Sequence, residues 1–292
     1  MREPQFRPDA ADLTGLGRTI DAITLDFSNT LVPFPGSSRN AVLDETAESA
    51  ARAWGMDATE FSRVWGEERV RQFAEDVPAG READMEVRAA RVLARLRGCP
   101  EPPDGARWEE AAVSRWSSPD EVQAVLDAYA SAFVRLTPVP PEIGPMLERL
   151  AGRFSLAILS NWPIATAIER FVDAAGWRPH LNAVVVSQRV GVIKPWPEIF
   201  RVTAEALGVA SGNRLLHVGD DLGADVAGAH GVGWRAGWVR LKPEDSPLPV
   251  APPGRDEVPD LTIDRVTDLP GALGFAGGGL PGQPRRPRPS GG

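Results

Sequence analysis

Apolar and polar positions divide this chain into three stretches. Residues 22–27 (AITLDF) form a short apolar run that breaks at Asp26 and gives way to Ser28, Asn29 and Thr30. A buried parallel strand reads this way, with its chemistry at the carboxyl end. Pro33, Pro35 and Gly36 then interrupt the chain. Between about 38 and 135 no β-like run occurs, and the periodicity predicts helices over 41–54, 59–75, 81–96 and 119–136. Phe61, Val64, Trp65 and Glu68 share one helix face, apolar except at its last position. The third stretch alternates. It predicts helices over 141–151, 163–175 and 198–207, and strands over 154–159, 183–186, 214–218 and 234–239. A short helix reaches His230, an edge strand covers 261–263, and a last short helix lies near 269–273.

Strand and helix in alternation imply parallel βαβ units. The expected fold is α/β, a doubly wound parallel sheet with an all-helical insert. The core is expected at 1–36 and 138–275 and the insert at 37–137. Residues 1–18 read as a loose arm, 242–260 as a Pro-rich loop, and 276–292, rich in Gly and Pro, as a disordered tail.

Composition narrows the partners. A net charge of -8 argues against a nucleic-acid footprint. No apolar run is long enough to cross a membrane, and the N-terminus has no signal-peptide core. The single cysteine, Cys99, has no disulfide or ligand-spaced partner and reads as inert. It fits a reducing, cytoplasmic compartment. Trp54, Trp65, Trp108 and Trp116 read as insert core rather than ligand contacts. Of 32 basic residues only Lys194 and Lys242 are lysine, so each lysine merits attention.

Four polar clusters fall at or beyond carboxyl ends of expected strands. They are Asp26 with Ser28 and Thr30; Ser160 with Asn161; Lys194; and Gly219, Asp220 and Asp221 with Asp225. In a parallel sheet these ends share one edge, so the clusters can converge on one pocket. Asp26, Asp220 and Asp225 brought together would repel one another, and a divalent oxygen-seeking cation such as Mg²⁺ removes that cost. Lys194 can hold Asp26 and a phosphate oxygen together, while Ser160 and helix-end amides suit phosphate. Each feature also has a plainer reading: a solvated loop lysine at Lys194, helix caps at Ser160–Asn161 and at Asp220–Asp221. His217, inside a strand, reads as core.

These clusters resemble the motifs of the haloacid dehalogenase superfamily of hydrolases. The first motif is like LDFSNTL (25–31), the second like ILSN (158–161), the third like GVIKPWPEIF (191–200), and the fourth like HVGDDLGADVAGA (217–229). The resemblance implies a Rossmann-like core with a helical cap. It implies Asp26 as the nucleophile that becomes an aspartyl-phosphate, with Ser160 and Lys194 on the phosphate. It also implies Mg²⁺ held by Asp26, the Ser28 carbonyl and Asp220, with Asp221 and Asp225 in support. The implied activity is hydrolysis of a small phosphorylated metabolite. One departure stands out: the family's phosphatases carry a second Asp where this chain has Ser28. A serine does not titrate near neutral pH and cannot serve alone as general acid and base. Three outcomes follow: a slow phosphatase or one for esters with good leaving groups, a dehalogenase-type enzyme, or a binding protein that keeps the fold.

Overall fold

A computed structural model of the chain describes residues 10–103, 106–252 and 257–274. Its centre is a sheet of six parallel strands: β1 (Ala22–Leu25), β2 (Ser155–Ser160), β3 (Ala183–Val186), β4 (Leu215–Gly219), β5 (Arg235–Val239) and β6 (Leu261–Ile263), in the order β3-β2-β1-β4-β5-β6. β1 lies between β2 and β4, with Leu25 level with Ile158 on one side and Val218 on the other. The chain builds outward from β1 to β2 and β3, then returns to the far side of β1 for β4. This reversal opens a crevice beyond the strand ends, where open α/β sheets place their ligands.

Alternate residues of each strand enter opposite cores, as the pleat requires. Ile23, Leu25, Leu156 and Ile158 pack on one face with the Ile143–Ala151 and Ala165–Ala174 helices. Ala22, Ala157 and Leu159 pack on the other with the Pro197–Leu207 helix. The sheet is therefore covered on both sides, as its apolar strands demand.

The insert between β1 and β2 is helical throughout, with helices Gly36–Trp54, Ala58–Asp76, Met85–Leu96 and Pro119–Leu136. Their ends follow local chemistry. Gly55 takes a left-handed conformation that stops the first, Asp57 caps the second at Glu60 N–H, and Ser118 with Glu121 forms a reciprocal capping box. The third helix was expected from residue 81 but starts at Met85, because Asp84 caps it. Residues 81 and 82 instead touch the core, where Arg81 bridges to Val192 and the Glu82 N–H donates to Gly191 O. Glu68, the polar exception on its helix face, is fully buried and accepts from Arg95 (3.0 Å) and the Trp108 indole (3.1 Å). Trp65 and Trp108 are buried as expected, while Trp54 and Trp116 are partly so.

One expectation changes, and one is left without a structural counterpart. The loose arm over 1–18 contains a helix, Ala10–Thr19, which comes so close to the C-terminal turn that a Cβ on Gly17 would meet Leu273 O at 2.3 Å. The tail expected over 276–292 lies outside the described residues. No helix among the described residues is long and apolar enough to cross a membrane.

Candidate active site

β1 is only four residues long, and Asp26 follows it directly, its N–H still donating to Val218 O at 2.9 Å. The chain then turns back, with the Leu31 and Val32 amides donating to Phe27 O. Asn29 takes φ 61°, which asparagine tolerates better than most residues. Phe27 and Phe34 pin this loop down. Phe27 meets Phe171 edge-on at 5.3 Å, and Phe34 meets Trp162 at 5.1 Å and Phe133 of the insert at 5.8 Å. Asp26 is thereby fixed at the sheet edge, 7% exposed.

Lys194 reaches it from the loop after β3. Its ammonium donates to Asp26 Oδ1 (2.8 Å), Asp225 Oδ1 (2.7 Å) and Leu159 O (2.9 Å), and the residue is 2% exposed. Asn161 holds the Lys194 backbone from both sides: its Oδ1 accepts the Lys194 N–H at 2.7 Å and its Nδ2 donates to the Lys194 carbonyl at 3.0 Å. Asn161 therefore positions the lysine as well as lining the cavity. Behind Asp225, His217 Nε2 lies 3.1 Å from Oδ1, and Thr24 Oγ1 lies 2.8 Å from His217 Nδ1. His217 is core, as expected, and braces the site from behind.

Gly219 leaves room for Asp225. A Cβ there would meet Asp225 Oδ2 at 2.1 Å. One carboxylate oxygen from each of Asp26, Asp220 and Asp225 lies within 4.8 Å of the others. Asp221 does not join them. Its Oδ1 accepts from Gly223 and Ala224 N–H, and its Oδ2 from Ala251 N–H, so it caps the Leu222–Ala227 π-helical turn and ties down the Pro-rich loop. The plainer cap reading therefore holds for Asp221 but not for Asp220.

Burial raises the pKa of Asp26 to about 7; Lys194 opposes the rise, while Asp225 and Asp220 add to it. Burial and Asp225 raise Asp220 to about 6, against Lys242. Burial also pushes Asp225 up, but Lys194 and His217 outweigh it and hold Asp225 below the usual range. Lys194 is held above its usual range by Asp225 and Asp26 despite burial. It is a fixed positive charge, not a base. Three carboxylates against two ammoniums, Lys194 between Asp26 and Asp225 and the part-exposed Lys242 beside Asp220, leave an excess of negative charge, and all the candidate ligand atoms are oxygen. That set suits a hard divalent cation. The hydroxyls of Ser28, Thr30 and Ser160 are buried with no hydrogen-bond partner among the described residues. Buried polar groups rarely stay unpaired unless something absent from the chain completes them. Of the three, Ser28 lines the cavity, whereas Thr30 and Ser160 do not.

The cavity has a volume of about 930 Å³ and is walled by the sheet edge, the insert and the Pro-rich loop. The second lysine also stands here: Lys242 Nζ lies 3.2 Å from Asp220 Oδ2. In sequence Lys242 only opens the Pro-rich loop, and the scarcity of lysine is the signal that marks it. That loop reaches the rest of the rim through Asn29 Nδ2 to Ser246 Oγ, Gly36 N–H to Asp245 O, and Arg69 to Pro247 O.

The chain spans little more than half the length of the curated relatives it matches. Glyceraldehyde 3-phosphate phosphatase of Methanopyrus kandleri is 31% identical over 147 residues, 50% of this chain and 60% of that one. Phosphoserine phosphatase of Thermus thermophilus is 34% identical over 141 residues, 47% and 55% of the respective chains. Among solved structures, a 2-haloacid dehalogenase from Pseudomonas syringae pv. Tomato DC3000 superposes with a TM-score of 0.59 at 23% identity, covering 88% of this chain and 99% of that one. A family profile for haloacid dehalogenase-like hydrolases matches residues 20–233, and this chain belongs to that family.

Proposed function

We propose that the chain is a Mg²⁺-dependent phosphatase of small phosphorylated metabolites, with Asp26 as nucleophile. The observation that carries this reading is the meeting of Asp26, Lys194, Asp220 and Asp225 from four separate segments in one buried cluster. Asp26, Asp220, Asp225 and the Ser28 carbonyl would hold the ion, which when bound supplies positive charge against the phosphate oxygens. Asp221 keeps its role in holding the loop.

One Asp26 oxygen is bonded by Lys194. The other has no hydrogen-bond partner among the described residues and is the atom that attacks phosphorus. The new Asp–O–P bond forms as the ester P–O bond breaks, and the leaving oxygen takes a proton. Water then attacks phosphorus, the Asp–O–P bond breaks, and Asp26 returns as carboxylate with inorganic phosphate released. Lys194, kept charged by Asp225, neutralises charge on the transferring group. Ser160, with its unpaired hydroxyl at the end of β2, is the proposed further donor to it.

Ser28, which does not titrate near neutral pH, would not supply the leaving-group proton alone. Glu82, on the cavity wall and with burial raising its pKa, is the carboxyl proposed to help, a role that requires it to exchange its bond with Ser187 Oγ for one to the leaving group. Without that help the enzyme is restricted to esters with good leaving groups. The acidic trio favours this reading over carbon–halogen hydrolysis, which leaves the clustered negative charge without a role. The 37–137 insert is proposed to act as a cap that excludes water. The single cysteine, buried, fits a cytoplasmic setting.

The test is a panel of phosphate esters with Mg²⁺ or with EDTA, scored for phosphate release. Release that needs Mg²⁺, and that falls about 10⁴-fold or more in Asp26→Asn, is the expected result. Equal release by wild type and variant removes Asp26 as nucleophile.

A further inference from the structure

The cavity has a second wall, opposite in charge to the sheet edge. Arg39, Arg69 and Arg88, from three successive insert helices, all line it, and Tyr129 of the fourth sits with them. Elsewhere in the insert most arginines are matched to acids, among them Arg63 to Glu60, Arg71 to Glu101, Arg91 to Glu75, Arg95 to Glu67 and Glu68, and Arg97 to Glu121, while Arg107 and Arg115, which have no acid partner among the described residues, are exposed to water. The three cavity arginines have no such partner among the described residues. Arg88 is 2% exposed, lies over the Trp65 ring at 5.6 Å, and bonds only neutral acceptors, Gln72 Oε1 (2.8 Å) and Ala83 O (3.1 Å). Arg69, half-buried, stands over Phe73 at 4.5 Å and donates to Pro247 O. Arg39, also half-buried, bonds the amide oxygen of its neighbour Asn40.

Acids near Arg88 are engaged elsewhere. Glu82 accepts from Ser187 Oγ and Ala83 N–H, and burial pushes it toward its neutral form. Asp84 caps its helix through Glu86 N–H and accepts from Gln188. The charges of all three arginines act on the Tyr129 phenol, which burial nonetheless keeps neutral. A guanidinium taken out of water without a counter-charge is costly, and three that repel one another more so. An arriving oxyanion removes that cost, and the guanidinium fork matches carboxylate and phosphate oxygens alike.

We propose that Arg39, Arg69, Arg88 and the Tyr129 hydroxyl form a second anion subsite, so that the substrate is a phosphate ester whose non-reacting end carries another oxyanion, a carboxylate or a second phosphate. The proposal rests on the phosphatase reading for which end reacts. A cavity of about 930 Å³ is far larger than one phosphate needs, and Phe34 and Trp65 offer an apolar wall for the spacer.

The test measures binding and turnover side by side. Calorimetry with the Mg²⁺-loaded full chain compares alkylphosphonates of one length ending in a carboxylate, a second phosphonate or a neutral amide. Wild type is expected to bind a charged tail about tenfold or more tightly than the neutral one. The ratio is expected to fall toward one in Arg69→Gln and Arg39→Gln, which are half-buried and safer for folding than Arg88→Gln. The carboxylate and phosphonate arms show which oxyanion the wall prefers. Equal affinity for charged and neutral tails, no measurable binding of either, or a ratio untouched by Arg69→Gln overturns the proposal. Phosphate release from the matching esters separates the two readings. Release without tail preference sinks the anion subsite alone, while a binding preference with no release from any ester sinks the phosphatase reading alone.

Discussion

Two buried ion clusters stand in this chain, one inside the insert and one at the sheet edge. In the insert, both Glu68 oxygens have donors, Arg95 and the Trp108 indole. The surrounding charges continue outward through Glu67 and Glu101, whose side chains are 46% and 45% exposed, so water completes the network. At the sheet edge, among the described residues, Asp26 has one donor for two oxygens, Asp225 and Lys194 are each 2% exposed, and the neighbouring hydroxyls of Ser28, Thr30 and Ser160 have no partner. Both clusters contain basic and acidic groups at bonding distance. Completion separates them: a network that satisfies itself holds helices together, whereas the sheet-edge cluster is left incomplete by its own side chains, which is what the proposed binding of a cation and an anion would complete.

Lys194→Met tests that distinction most severely. It leaves Asp26 and Asp225 buried without their ammonium. Phosphate release should drop about 10²–10³-fold, and denaturant unfolding should show a loss of about 3–5 kcal/mol. A variant as stable as wild type would mean that the pair contributes nothing to the fold.

Ser28→Asp moves the other way. If Ser28 occupies the position of the missing acid, a carboxyl there should raise hydrolysis of an alkyl phosphate, with about tenfold as a cautious expectation. No gain, with Mg²⁺ binding intact, would assign proton transfer to another group, Glu82 being the first to examine. Glu68→Gln should change only the other side of the comparison. Unfolding should be easier by about 3 kcal/mol, while phosphate release per folded molecule stays within about twofold. A large loss of turnover would show that the insert network is coupled to the site.

The sheet was legible because its strands are short apolar runs bounded by Gly, Asp and Asn. Lys194 was legible because this chain so rarely uses lysine. The start of the third insert helix was not: periodicity alone ran it back to residue 81, whereas Asp84 caps it and the preceding residues are drawn to the core by Gly191 and Val192. Asp221 adjoins Asp220 in sequence, yet its carboxylate serves three backbone amides. Side-chain direction just past a strand end depends on local backbone turns that spacing does not encode. The cavity arginines share the insert with paired arginines, and no pattern along the chain separates the two kinds.

The sequence by itself determined the kind of fold and the candidate chemistry, since strand ends in a parallel sheet must share an edge and the polar residues sit at those ends. Only the tertiary structure decided which groups meet: Asp225 with Lys194 across 31 residues, Lys242 with Asp220 across 22, and three arginines and a phenol along one cavity wall. Periodicity and composition act over a few turns or residues. Charge balance is a property of a volume, and its sign appears only when every group that enters that volume has been placed.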